Sequence, residues 1–147
     1  MPKRPKVFLD TSVIVAALMS PTGGARLLFH LAQAGAINLV VGPGVLEETE
    51  TVLRRKAAHL LVTLVQLLDE ANLEVCEAHT PVEQQQAESL LAYLPDARVL
   101  AEALHAQPDW FVTHDKEHFL SNPALASEQF AFKIASPGDI LAWLRNE

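Results

Sequence analysis

The chain has 147 residues, half of them hydrophobic, which is enough for one compact domain with a buried core and argues against overall disorder. Its formal net charge of −7 argues against nucleic-acid binding by bulk positive charge, but does not exclude a nucleic-acid enzyme whose carboxylates hold cations. No apolar run reaches the roughly 18 residues of a membrane helix, the first residues lack a signal peptide's apolar region, and the single Cys76 suits a reducing cytosol, so we expect a cytoplasmic protein with no membrane partner.

Short apolar strands alternate with helices along the sequence. In chain order we predict a strand over 6–10, helices over 11–19 and 25–35, a strand over 37–42, two helices within 44–71, a strand over 73–78, helices over 82–94 and 96–106, strands over 109–115 and 130–135, and a helix over 136–146. Thr11 or Ser12 is the predicted N-cap of the first helix, and Ser136 that of the last, with Pro137 in its first turn. The alternation predicts an α/β three-layer sandwich with a central, mostly parallel sheet of about five strands.

Four acidic positions are predicted to meet at the carboxyl edge of this sheet, where open parallel sheets gather their functional groups. Asp10 ends the first strand and Asp115 ends the fourth. Glu48, with Glu47 beside it, lies early in the helix after the second strand, and Asp96 lies at the N-cap or in the first turn of a later helix. Each acid alone has an ordinary explanation as a helix cap or a solvated surface residue, but four at one edge favour a shared function.

Acids gathered in this way need a compensating charge. Two carboxylates about 6 Å apart repel by roughly 3 kcal/mol at an effective dielectric constant of 20. Either some are protonated, or a hard divalent cation lies among them, and oxygen ligands select Mg²⁺ or Mn²⁺. Such an open carboxylate site is suited to hydrolysis of phosphodiester bonds.

Four motifs contain these acids: VFLDTSVIVAAL with Asp10, VVGPGVLEETETVL with Glu48, PDARVLAEAL with Asp96 and FVTHDKEHF with Asp115. In this order they resemble the motifs of the PIN-domain ribonucleases, a family that includes the toxins of bacterial toxin–antitoxin pairs. Ser12, Thr49 and His114 stand where many members of that family have other residues, but none of the four acids is lost. The resemblance covers nearly the whole chain and implies a single PIN-like domain over 1–147.

The resemblance also implies a parallel sheet of about five strands, RNA cleavage that depends on a divalent metal, and frequent dimers or higher oligomers. It assigns catalysis and metal binding to Asp10, Glu48, Asp96 and Asp115, with Thr113 at the family's hydroxyl position. Glu117 is a further candidate metal ligand, and Thr11 and Ser12 are candidate supporting residues. If the chain is a toxin, an antitoxin protein is the expected partner.

Basic side chains are needed where RNA approaches an acidic site. The candidate phosphate contacts are Arg54, Arg55, Lys56, Arg98 and Lys116, although each is by default a solvated surface charge. The leucine-rich segment 60–68 is interpreted mainly as core, with an oligomer or antitoxin surface as the alternative.

Other functional classes fit less well. HDKEH at 114–118 matches the H-x-x-E-H pattern of inverted zinc peptidases, but that pattern needs a long helix with both histidines on one face. A phosphate-binding glycine loop is absent from the sequence, and Glu77 stands where a receiver domain needs its aspartate. The remaining alternative is a non-catalytic RNA-binding or protein-interaction domain on the same fold.

Overall fold

The computed structural model describes residues 4–125 and 129–146. Within these ranges the strands are β1 (Lys6–Leu9), β2 (Asn38–Val41), β3 (Glu74–Val75), β4 (Trp110–Val112) and β5 (Lys133–Ala135). The α-helices are α1 (Thr11–Met19), α2 (Gly24–Gln33), α3 (Pro43–Lys56), α4 (Leu61–Glu70), α5 (Pro81–Leu90), α6 (Leu94–Ala106) and α7 (Pro137–Arg145). Shorter helical turns lie at Ala58–Leu60, Lys116–Leu120 and Pro123–Leu125.

The strands form one sheet in the order β3-β2-β1-β4-β5, and every pair is parallel. The central β1 pairs with β2 on one side and with β4 on the other. The chain moves outwards from β1 to β3 and then crosses β1 to form β4 and β5. The carboxyl ends of β1 and β4 therefore flank the switch point at which such sheets bind ligands. The predicted α/β sandwich is confirmed.

Helices cover both faces of the sheet at its centre. Val7 and Leu9 point to one face and Phe8 to the other, and all three are 0% exposed. Phe8 stacks on Phe111 of β4 with ring centroids 5.5 Å apart. Phe111 also packs against Phe119, with centroids 4.9 Å apart, so the turn that follows β4 is anchored to the sheet.

The first helix begins at Thr11, whereas a cap at Thr11 or Ser12 would start it at residue 12 or 13. Asp10 is the N-cap of α1, and its Oδ1 accepts a hydrogen bond from the Thr11 amide at 2.8 Å. The predicted cap, Thr11 or Ser12, is wrong because both residues already belong to the first turn of α1. Ser136 caps α7 and Pro137 lies in its first turn, as predicted.

The boundaries of several elements differ from the predictions. The third strand, predicted over 73–78, is reduced to Glu74 and Val75, since only these two residues pair with β2. The fourth strand ends at Val112 and not at 115. Leu94 begins α6 and is not the end of α5, which places Asp96 in the first turn of α6.

The apolar helices are divided between core and surface. In α4, Leu64 and Leu67 are buried, whereas Val62 and Val65 are 68% and 66% exposed, so segment 60–68 is only partly core.

In the described part of the chain, no single helix is long and apolar enough to cross a membrane. The pair α1 and α2 reaches that length and hydropathy together, but it is bent by 95° and buries core residues along both helices.

Candidate active site

Asp10 lies at the carboxyl end of the central strand and is only 8% exposed. Its Oδ2 accepts hydrogen bonds from the hydroxyls of Thr113 at 2.7 Å and Ser12 at 3.1 Å. Together with the bond from the Thr11 amide, these contacts engage both carboxylate oxygens and fix the orientation of the side chain. The predicted supporting residues therefore all contact Asp10, either directly through a hydroxyl or through the backbone.

The hydroxyls of Ser12 and Thr113 also connect Asp10 to the segment after β4. Thr113 is fully buried, and its Oγ1 accepts a hydrogen bond from the Asp115 amide at 3.0 Å. Ser12 Oγ accepts one from the His114 amide at 3.1 Å. Each hydroxyl makes one bond within its own segment and one to the other, because Thr113 donates to Asp10 across the strands and Ser12 accepts from His114 across them. The ends of β1 and β4 are thereby held in a fixed relation.

Asp115 caps the turn Lys116–Leu120 and contacts His118 twice. Its Oδ1 accepts a hydrogen bond from the His118 amide at 3.0 Å, and its Oδ2 lies 2.9 Å from His118 Nδ1. Nδ1 is also 3.5 Å from Asp96 Oδ2. His118, considered in the sequence only as part of the H-x-x-E-H pattern, therefore lies between two of the four predicted acids.

Asp96 lies in the first turn of α6, with Tyr93 as the N-cap of that helix. Its Oδ2 is buried and has no hydrogen-bond partner among the residues that the structure describes. The nearby His118 Nδ1 is already engaged by Asp115. A buried carboxylate oxygen without a donor is costly, so this atom points to a missing positive partner.

The four acids line one cavity of about 500 Å³ at the switch point of the sheet. Its other lining residues are the hydroxyl-bearing Thr11 and Ser12 and the apolar Val15, Ala16 and Val52. Glu48 is exposed, in contrast to Asp10, and it also lines a neighbouring groove of about 560 Å³. That groove contains Gly44, His79, Gln84 and Arg98.

Burial and mutual repulsion act together on the acids. Burial raises the pKa of Asp10, the hydrogen bonds from Thr113, Ser12 and Thr11 oppose that rise, and the charge of Glu48 adds to it. Burial also raises the pKa of Asp96, which His118 opposes and the other three acids reinforce. The hydrogen bond to Asp115 raises the pKa of His118. The site therefore favours whatever supplies positive charge, whether a proton or a cation.

The donor set suits a hard divalent cation. One ligand atom from each of Asp96, Asp115 and His118 lies within 4.8 Å of the others. Asp10 and Glu48 contribute further carboxylates to the same cavity. Carboxylate-rich sites favour Mg²⁺ or Mn²⁺, so these residues fit the predicted metal. Glu117, the predicted additional ligand, is exposed and does not belong to the group of three.

The predicted phosphate contacts lie at different distances from the cavity. Arg54, Arg55 and Lys56 are exposed in the last turn of α3, and Arg54 pairs with Glu50 at 3.5 Å. Val52 is the last residue of α3 that lines the cavity, and the three cations that follow it are not among the lining residues. Arg98 lines the groove beside Glu48, and Lys116 is exposed directly after Asp115.

Glu102 is a site-supporting residue that the sequence did not reveal. It is 2% exposed, and its carboxylate accepts hydrogen bonds from the amides of Gly44 at 2.7 Å and Val45 at 3.3 Å. It thereby caps the start of α3, which carries Glu48, from α6, which carries Asp96. The sequence does contain a sign of this role, because Glu102 is a lone acid among alanines and leucines, six residues after Asp96. An acid on an apolar helix needs a buried partner.

The H-x-x-E-H pattern at 114–118 lacks the structure that a zinc peptidase requires. His114 precedes the turn Lys116–Leu120, and a second short turn follows at Pro123–Leu125. Neither turn is a helix long enough to present both histidines on one face.

A family model described as "PIN domain" matches residues 6–117, which is more than half of the chain and includes all four acids. No curated protein matches the chain in sequence.

Several solved structures share the fold. The VapBC2 complex of Rickettsia felis, bound to a DNA fragment from its promoter, is similar with a TM-score of 0.65 at 14% identity, over 89% of this chain and 98% of that chain. VapC20 of Mycobacterium tuberculosis, a toxin that cleaves the sarcin–ricin loop, has a TM-score of 0.56 at 20% identity, over 78% and 94%. PAE2754 of Pyrobaculum aerophilum has a TM-score of 0.67 at 15% identity, over 98% and 92%. At these identities the similarity establishes the fold.

Proposed function

The chain belongs to the PIN-domain family, and from that premise we propose that it is a Mg²⁺- or Mn²⁺-dependent endoribonuclease. The observation that carries the proposal is the single cavity lined by Asp10, Glu48, Asp96 and Asp115. The unpartnered, buried Oδ2 of Asp96 supports it, because a cation there would satisfy an atom that the described part of the protein leaves without a donor.

The metal would be held by the carboxylates of these four acids. When bound, such a cation activates water and stabilises negative charge on a phosphodiester. The protein's own contribution is orientation. Thr113 and Ser12 hold Asp10, and the His118 amide holds Asp115, so that both carboxylates are fixed before substrate arrives. Preorganised groups of this kind need little rearrangement during the reaction.

RNA would reach the cavity along the groove beside Glu48. The guanidinium of Arg98 lies over the first turn of α3, so close to Gly44 that a Cβ on that glycine would collide with it. Arg98 is therefore the predicted basic residue best placed to hold a phosphate near the acids. Lys116 could do the same from the other side of Asp115, and Arg54, Arg55 and Lys56 would act at longer range.

The proposed biological role is that of the toxin in a toxin–antitoxin pair. The fold is shared with VapC20, described as a toxin, and with VapBC2, described in complex with promoter DNA. By analogy the partner would be an antitoxin protein, and the working form would be a homodimer or higher oligomer in the cytoplasm. The exposed Val62 and Val65 of α4 are candidate residues for such contacts.

The test is cleavage of a mixed pool of labelled RNA with Mg²⁺, with Mn²⁺ and with a chelator. We expect metal-dependent cleavage by the unsubstituted chain, and a loss of at least about 100-fold in Asp10→Asn and Asp96→Asn, the scale expected when a preorganised charged group is removed. Glu70→Gln is the matched control, since it removes an exposed acid from α4, which does not line the cavity.

A different result would reject the nuclease. If the unsubstituted chain and Asp10→Asn were equally inert with either metal, while RNA or a protein partner still bound, the chain would be a non-catalytic binding domain on this fold.

A further inference from the structure

Tyr93 is a large aromatic residue whose side chain is mostly exposed to solvent. It is the only tyrosine in the sequence and is 61% exposed. It occupies the N-cap of α6, a position that favours Ser, Thr, Asp or Asn, and it makes no side-chain capping bond there. No hydrogen bond of its hydroxyl is found within residues 4–125 and 129–146. The stability of the fold therefore does not explain an aromatic ring at this point.

The ring of Tyr93 contacts His118, the histidine that lies between two acids of the cavity. It stacks on the imidazole of His118 with ring centroids 6.2 Å apart and an interplanar angle of 24°. His118 in turn lies 2.9 Å from Asp115 and 3.5 Å from Asp96. The ring of Tyr93 has His118 on one side and is 61% exposed. It therefore presents aromatic surface to solvent beside a histidine that contacts two of the proposed metal ligands.

The chemistry around this ring selects the kind of group that can bind there. Asp96 and Asp115 contact His118, and the exposed Glu117 directly precedes it, so the negative charge beside the ring disfavours a bare phosphate. A nucleobase is neutral and flat, and bases of single-stranded nucleic acids stack on tyrosine and histidine rings. The nucleotide next to a phosphate held at the acids would bring its base to this position.

We propose that Tyr93, supported from behind by His118, forms a base-stacking subsite for a nucleotide adjacent to the cleaved phosphodiester. This inference rests on the proposed nuclease function and requires the nucleotide at Tyr93 to be unpaired, because a base paired in a helix cannot offer its face to Tyr93. Stacking accepts every base, so the subsite selects unpaired RNA and not a particular sequence.

The test separates the ring from the rest of the side chain. Tyr93→Leu keeps an apolar residue but removes the aromatic face, whereas Tyr93→Phe keeps the face and removes only the hydroxyl. Binding is measured in the Asp10→Asn background with a single-stranded oligoribonucleotide of about 12 nucleotides, within the site sizes of single-strand binders. One base at a time is replaced by 2-aminopurine, whose fluorescence is quenched on stacking.

We expect Tyr93→Leu to bind about 5- to 150-fold more weakly, the range measured for loss of one stacked base, and to lose the quenching at one position. Tyr93→Phe should retain both. An oligonucleotide that lacks the base at that position should bind the Tyr93→Leu chain no more weakly than the intact oligonucleotide does. In the cleaving chain, Tyr93→Leu should raise KM more than it lowers kcat.

The two proposals fail in different ways. Unchanged affinity, quenching and KM in Tyr93→Leu, with metal-dependent cleavage intact, would overturn the subsite alone. A chain that neither binds nor cleaves RNA with Mg²⁺ or Mn²⁺ would overturn the nuclease and the subsite together. A melting temperature of Tyr93→Leu close to that of the unsubstituted chain shows that the fold is intact, as its exposure leads us to expect.

Discussion

The carboxylates of Asp10 and Asp96 share a cavity but are stabilised in different ways. Asp10 receives hydrogen bonds from two hydroxyls and one amide, so its cost of burial is partly offset by the protein itself. Asp96 Oδ2 receives none among the described residues, and burial raises the pKa of that group. We infer that Asp96 depends most on an external cation.

This difference gives a pH-dependent prediction for Asp96→Asn in the metal-free chain. The folded-state pKa of Asp96 is raised above the ordinary 3.8, so the folded state binds the proton more tightly than the unfolded state does. Stability is therefore lost as pH rises from about the ordinary value through the folded-state pKa, and it stays lower above that point. The neutral Asn side chain avoids this loss.

We expect Asp96→Asn to melt at a higher temperature than the unsubstituted chain at pH 7 in a chelator, by the order of the 2–4 °C that 1 kcal/mol produces at about this size. The gain should vanish below the ordinary aspartate pKa, and added Mn²⁺ should stabilise the unsubstituted chain more than the variant. Thermal unfolding at several pH values measures both effects. A variant that is less stable at pH 7 in the chelator would show that the contact with His118 outweighs the burial of charge.

At the scale of elements, the junction of α3 and α6 determines how Glu48 and Asp96 are presented. The N-cap of α3 is Gly42, which has no side chain to satisfy the free amides of the first turn. Glu102 of α6 supplies the carboxylate instead, and its charge is favourable at a helix N-terminus. A Cβ on Gly42 would collide with Glu102, so the two helices can approach only because this residue is glycine.

Glu102→Ala should therefore be strongly destabilising. It leaves two buried amides without an acceptor, and we expect a loss of roughly 2–4 kcal/mol in the free energy of unfolding. Glu102→Gln, which keeps one acceptor oxygen and the shape of the side chain, should lose less. Urea denaturation with unchanged slope measures the effect, and Glu88→Ala is the control, because Glu88 is exposed on α5. Equal stability of Glu102→Ala and Glu88→Ala would contradict the role assigned to Glu102.

At the scale of the whole molecule, the proposed RNA substrate carries charge of the same sign as the chain. The net charge is −7, and the carboxylates of the cavity are themselves repulsive to RNA. We therefore propose that RNA binding depends on a metal at the acids and on locally placed cations, of which Arg98 is near the cavity and Arg54, Arg55 and Lys56 are farther away. We propose that residues 1–147 form a single domain in which both sets act on one RNA strand.

Charge reversal separates the contributions of these cations. We expect the triple variant that combines Arg54→Glu, Arg55→Glu and Lys56→Glu to bind RNA more weakly and with a smaller salt dependence. The slope of log affinity against log salt concentration should fall by about 0.7 for each phosphate of single-stranded RNA that the protein no longer neutralises. Affinity measured over a range of salt concentrations gives that slope. Arg98→Gln, close to the acids, should also raise KM for cleavage. If the triple variant keeps the same affinity and the same slope, residues 54–56 do not bind RNA.

The alternation of strands and helices, the order of the four acids and the edge of the sheet at which they lie could all be predicted from the sequence alone. These features follow from local periodicity and from the rule that parallel strands end at one edge. The lengths of the strands were harder to predict, because only Glu74 and Val75 of the predicted third strand pair with β2.

Glu102, and the contacts through which the predicted Thr113 supports the acids, became apparent only from the three-dimensional fold. Glu102 meets Gly44 across 58 residues of sequence, and Thr113 meets Asp10 across 103. Tyr93 and His118 come from separate elements, and nothing in either local sequence indicates that their rings stack. Periodicity reports the direction of a side chain relative to its own helix or strand, whereas hydrogen bonding and stacking depend on what the fold brings against it.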